Sequence, residues 1–144
     1  MAILDIYTTG LQKQAVGHFA NIVKLAKSDY KITEEENSFI EKMAIKLNIG
    51  LTTKNLVLKN PYLFPIQPPV HYEDRITRLY NLAKMIIADG KVALEEKKLL
   101  RKLAIGIGFP LSKAKRVCKK ALKMVKQNKS LEDFIFEIKR VNRS

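Results

Sequence analysis

The sequence predicts an all-α fold: a bundle of about seven helices, built as two helix-turn-helix repeats about a pseudo-twofold axis and joined by a Pro-rich linker. Three observations carry this. A displacement of 60 residues aligns 19–51 ("FANIVKLAKSDYKITEEENSFIEKMAIKLNIGL") with 79–111 ("LYNLAKMIIADGKVALEEKKLLRKLAIGIGFPL") without a gap. Apolar residues recur at helical rather than alternating spacing, with no convincing strand. Glycines and prolines fall between the periodic stretches, where helices must stop.

Ten of the 33 aligned positions are identical, among them Asn21/Asn81, Lys24/Lys84, Asp29/Asp89, Glu35/Glu95, Glu36/Glu96 and Ala44/Ala104. Most others keep apolar character, such as Ile22/Leu82, Phe39/Leu99 and Met43/Leu103. Two copies are too few for a solenoid. Each half is expected to cover the other's apolar face within one domain.

Repeat one takes residues 15–59. Its first helix runs toward Asp29. Thr33 and Glu36 form a Thr-x-x-Glu capping box that opens the second helix. A third helix is expected over 52–59, stopped by Pro61. The linker 60–70, "NPYLFPIQPPV", holds four of the five prolines. It reads as a stiff extended connector whose Tyr62, Leu63, Phe64 and Ile66 are expected to be buried. Repeat two takes 72–127. Ile76, Leu79, Tyr80, Ala83, Ile86 and Ile87 stripe its first helix, and Asp89-Gly90 breaks it. Leu99, Leu100, Leu103, Ala104 and Ile107 stripe the next, before Gly108 and Pro110. The following helix, 112–127, turns Ala114, Val117, Cys118, Ala121, Leu122 and Val125 inward. A last helix is expected over 131–141, with Ser130 as its N-cap.

At 144 residues and 47% apolar the chain suits one globular domain. No apolar run approaches the ~20 residues of a membrane span. The opening "MAILDIYTTG" has Asp5 and no basic lead-in, so no signal peptide is expected. A single cysteine excludes an internal disulfide. The cytoplasm is the expected compartment. Net charge is +13, and residues 97–129 hold twelve Lys or Arg with no acid. Such a field favours nucleic acid, an anionic membrane surface or an acidic protein.

The stretch "ADGKVALEEKKLL" at 88–100 imitates half of a calcium loop. With Gly90 at the sixth position, Asp89 and Glu96 occupy the fifth and twelfth, but the first and third become Met85 and Ile87, which cannot bind calcium. In repeat one those places hold Leu25 and Lys27, and Tyr30 replaces the glycine. An EF-hand is therefore rejected. What remains is an Asp ending one helix and a Glu pair opening the next, twice. The Glu pairs fit ordinary first-turn and capping roles. Asp29 and Asp89 fit less well, because a carboxylate at a helix C-terminus meets the negative end of the dipole. Packed about a twofold axis, Asp29, Glu35, Glu36, Asp89, Glu95 and Glu96 would converge into an all-oxygen site for Ca²⁺, Mg²⁺ or Mn²⁺. Lys31 and Lys91 would weaken it.

The duplicated Asp-x-Lys-apolar-x-x-Glu-Glu pattern, fullest in "LAKMIIADGKVALEEKKLLRKLA", resembles the tellurite-resistance TerB family. It is also similar to the N-terminal domain of a membrane-anchored J-domain co-chaperone. The likeness extends over roughly 15–127 and includes the "PPV" linker. It implies an all-helical pseudo-twofold fold, a divalent-cation site on the six acids above, and a role in bacterial stress and tellurium-oxyanion resistance. Tyr30 and the strong positive charge depart from that pattern.

The helix "SKAKRVCKKALKMVKQNKS" at 112–130 carries Lys113, Lys115, Arg116, Lys119, Lys120, Lys123 and Lys126 away from its apolar stripe. These make either a solvated face or a set of phosphate contacts. Base stacking is disfavoured, because Phe109 is the lone aromatic in 97–129. With the preceding helix it also imitates a DNA helix-turn-helix, but its lysines position better than they specify. An enzyme is not expected. His18 reads as a packed side chain, His71 as a helix cap or a solvent-facing side chain, and Cys118 as a buried thiol. No phosphate loop, Ser/His/Asp grouping or zinc spacing occurs. The sequence thus favours a binding module, either one that takes a divalent cation (Ca, Mg, Mn or Zn) and an unknown protein partner, or a basic scaffold for nucleic acid or another polyanion.

Overall fold

The computed structural model describes residues 10–28, 31–88 and 92–143. Among these residues the chain forms seven α-helices and no strand: α1 Gly10–Lys27, α2 Glu34–Lys46, α3 Leu51–Lys59, α4 Tyr72–Ile87, α5 Leu94–Gly106, α6 Leu111–Lys126 and α7 Leu131–Arg143.

The 60-residue displacement reappears in the backbone. The bounds of α2 and α5 coincide under it, α1 and α4 end together, and α3 and α6 begin together. The second helices also terminate alike. Leu47 and Ile107 leave the helix with φ near −88° and −89° and ψ of 1°. Ile49 N then donates to Ala44 O at 2.8 Å, and Phe109 N to Ala104 O at 3.0 Å. This Schellman closure needs a left-handed residue, supplied by Asn48 (φ 57°) in one half and Gly108 (φ 119°) in the other.

The hairpins interlock. The second helix of each half packs on the first helix of the other, α5 on α1 and α2 on α4. α4 lies at the centre, against α1, α2, α5, α6 and α7. Phe19, Ile22 and Leu25 of α1, Ile40 of α2, Ile76, Leu79, Leu82 and Met85 of α4, and Leu100 of α5 are fully buried in a single core. Each such side chain removed from water contributes about 1.5–3 kcal/mol of transfer free energy, so this shared core dominates the fold's stability.

The halves diverge at the third helix. α3 stops after nine residues at Asn60-Pro61, whereas α6 runs sixteen. Pro61–Leu63 then forms one 3-10 turn that packs on α1 and α3, as α7 packs on α4 and α6. The turn corrects one expectation. Phe64 is buried and Ile66 half-buried, but Tyr62 and Leu63 are exposed. Three residues per turn put Pro61 and Phe64 on the same inner face and send the two between them outward. Beyond the turn the linker is pinned by α4: Arg78 Nη1 donates to Gln67 O at 2.9 Å and Arg75 Nε to Pro69 O at 2.7 Å. It passes so near α1 that a Cβ at Gly17 would lie 3.1 Å from Pro65 O. In α7, Phe134 meets Tyr80 edge-on at 5.0 Å, and Ser130 Oγ caps the helix by accepting from Asp133 N at 3.1 Å.

Candidate functional site

The two inter-helix elbows hold the predicted acids. Asp29 and Asp89 lie outside the described residues. Glu36 and Glu96 are buried and turned back onto their own helix starts. Glu36 Oε1 accepts from Thr33 N at 3.0 Å while Thr33 Oγ1 accepts from Glu36 N at 3.1 Å, completing the expected box. Glu96 Oε1 accepts from Ala93 N at 3.0 Å, but Ala93 has no side-chain oxygen to return the bond. Both carboxylates thus serve a structural role. Glu35 and Glu95 are exposed.

The start of α2 and the end of α4 approach each other on one side. Glu34, Glu35 and Ser38 of α2 share a cavity of about 580 Å³ with Lys84, Ile87 and Ala88 at the end of α4. Lys84 Nζ stands 4.9 Å from the Tyr80 ring centroid. Glu95 and Glu96 do not line this cavity. Among the described residues no group of three His, Cys, Asp or Glu is placed to hold a metal.

A second cavity, of about 600 Å³, opens on the far side of Ile87 between α5 and α6. Its floor is apolar, formed by Ile87, Val92, Cys118 and Leu122, with exposed Leu94 at its mouth. Its walls are cationic. Lys97 and Arg101 rise from α5, and Lys115, Lys119, Lys123 and Lys126 from α6. None of the salt bridges among the described residues takes any of these six. The α6 cations fall at spacings of four, four and three because a helix returns to the same face at that interval. Of the seven α6 cations singled out from sequence, four line this groove. Lys120 instead pairs with Glu137 of α7 at 3.6 Å, and Lys113 and Arg116 do not line it.

Sequence reasoning missed the groove itself. Leu94, Lys97 and Arg101 belong to it, yet the two cations entered the reading only as charge and Leu94 not at all. The available signal was the repeat: Glu34, Asn37 and Glu41 stand at the equivalent positions of the first half. There Glu41 pairs with Lys54 at 2.8 Å, a neutral closure that the second half lacks.

The remaining candidates are structural. His18 is buried, with Nε2 3.2 Å from Asn81 Nδ2. Burial, helped by Arg78 and Lys46, pushes its pKa down from 6.5 to about 3, so the ring stays neutral. Lys24 is buried too, and desolvation lowers its pKa while Nζ donates to Asn21 Oδ1 at 3.1 Å and Phe64 O at 3.2 Å. Cys118 is buried, and desolvation raises its thiol to about 12, well above the range of a reactive thiolate. His71 is exposed at the start of α4. No helix of the described residues is long and apolar enough to cross a membrane.

Compared with protein-family models, characterised proteins and solved structures, the chain finds no match.

Proposed function

We propose that the protein is a non-enzymatic binding module that holds a polyanionic partner in the α5–α6 groove. One observation carries the reading: six Lys and Arg side chains on two facing walls, none in a salt bridge among the described residues. Six like charges lining one concavity focus a positive field that draws in an anion. A merely solvated basic face would not need a concave arrangement on two helices.

The test is binding to heparin, polyglutamate and duplex DNA at about 50 and about 200 mM salt. The reading expects retention that falls steeply with salt and is lost in Lys119→Glu/Lys123→Glu. Absence of binding to all three at low salt would refute it.

The elbow cavity supports a second reading, a divalent cation near Glu35 and the end of α4, with Asp29 and Asp89, which the sequence puts in the same two turns, as further oxygen donors. Its support is that one cavity is lined by both the start of α2 and the end of α4. Under this reading the protein is a TerB-like module of a cytoplasmic bacterial stress or tellurite response, acting through a protein partner. Calorimetry with Ca²⁺, Mg²⁺, Mn²⁺ and Zn²⁺ tests it. The expected heat disappears in Asp89→Ala, and no heat at millimolar metal rules the cation out.

A further inference from the structure

We infer that the occupant of the α5–α6 groove is an acidic amphipathic helix from a partner protein. The inference rests on the polyanion reading above and narrows it.

The floor decides between kinds of anion. A nucleic-acid backbone is polar along its whole length and would leave Leu94 and Leu122 against phosphates and water. A polyanion without apolar groups would gain nothing from them. Yet Leu94 is 56% exposed at the mouth of the groove, where the first repeat has Glu34. An apolar strip flanked by cations on both sides is the complement of an apolar stripe flanked by carboxylates. That is the surface of a helix with Leu-like residues at three- and four-residue spacing and Glu or Asp beside them.

The dimensions agree. Lys115, Lys119, Lys123 and Lys126 span twelve residues of α6, or ~16 Å of helix axis, which is three turns of a guest helix. Cations four residues apart on each wall stand ~6 Å from one another, the same interval as carboxylates at i and i+4 on the guest. A bilayer surface fits less well. Apart from Leu94, the apolar residues form the floor of a concavity, and a flat membrane would meet Leu94 and the lysines at the rim without reaching the rest. A guest this short would be marginally helical alone and would fold as it docks.

The experiment uses the full chain and a blocked peptide of about 15 residues, with leucines on one stripe and glutamates flanking it. A second peptide has the same composition with the leucines scattered around the helix. Duplex DNA and phosphatidylglycerol vesicles complete the set. We expect the striped peptide to bind at least about tenfold more tightly than the scattered one. We also expect Leu94→Gln, a change at an exposed position that the fold tolerates, to remove that preference and leave the weaker binding intact. Leu122→Gln should act in the same direction. Equal affinity for both peptides and DNA, unchanged in Leu94→Gln, would overturn the helix while leaving the polyanion reading standing. Vesicle binding that depends on Leu94, with neither peptide bound, would make the partner a lipid surface and overturn it too. Failure of every probe at low salt would remove both inferences.

Discussion

Residues 34–59 and 94–119 follow the same helix bounds at a 60-residue displacement, but their charges differ. The first stretch carries four Lys against four Glu; the second carries eight Lys or Arg against two Glu. In the first, Glu41 reaches Lys54 across the hairpin and satisfies it. In the second, Arg101 takes the place of Glu41 and faces more cations over an apolar floor. Backbone closure, capping and core stripe are shared, so none of these requires the charge difference. One duplicated scaffold therefore holds a charge-balanced hairpin and a strongly cationic one, and the cationic one has the groove.

Converting the second hairpin toward the first should have the largest effect. Leu94→Glu, Lys97→Asn and Arg101→Glu together exchange the groove's α5 residues for those of the first repeat. Polyanion affinity at low salt should fall about a hundredfold or more, since several counterion-releasing contacts are lost. Circular dichroism should be unchanged, because none of the three is buried. Retained affinity would move the binding surface elsewhere.

The next effect concerns His18, whose counterpart in the second repeat is Arg78. The arginine reaches the linker, whereas the histidine is sealed in the core beside Asn81. Its pKa is 6.5 unfolded and about 3 folded, so between these values the unfolded chain binds the extra proton. Stability is therefore full above pH 6.5 and is lost as pH falls toward 3, by an amount on the order of a few kcal/mol. Urea titrations at pH 7, 5.5 and 4.5 should record this loss. His18→Gln keeps an acceptor for Asn81 and should flatten that limb. An unchanged slope in the variant would assign the acid sensitivity to other groups.

The smallest effect tests the caps. The first hairpin has a complete box and the second only its backward bond. Thr33→Ala should cost about 1 kcal/mol, and Ala93→Thr should add about 0.5–1 kcal/mol by supplying the missing acceptor. For a chain of this size that is a shift of a few degrees in Tm. Equal melting of Ala93→Thr and the parent would mean that the second elbow cannot adopt the box geometry.

Much of the fold was legible in the sequence, for identifiable reasons. Helical spacing of apolar residues marked α4 through α6, the Thr33–Glu36 and Ser130 caps marked two helix starts, and the repeat fixed the register between halves. Local signals of this kind act within a few residues. The conformation of the linker was harder, because the burial of Phe64 and the exposure of Tyr62 and Leu63 follow from one 3-10 turn inside a proline-rich run. The groove was harder still. Its apolar lining joins Ile87 of α4, Val92 and Leu94 beside and in α5, and Cys118 and Leu122 of α6, so it exists only once three helices are assembled. Leu122 belonged to a correctly read inward stripe, yet its half-exposed edge depends on how far α5 stands from α6.

The most direct test of the central claim, that the second hairpin alone is the binding surface, is a methyl and amide chemical-shift map during titration with polyglutamate or the striped acidic peptide. The account predicts perturbations at Ile87, Val92, Leu94, Lys119 and Leu122, with residues 34–59 silent. Shifts centred on 34–59, or spread evenly over the surface, would contradict it.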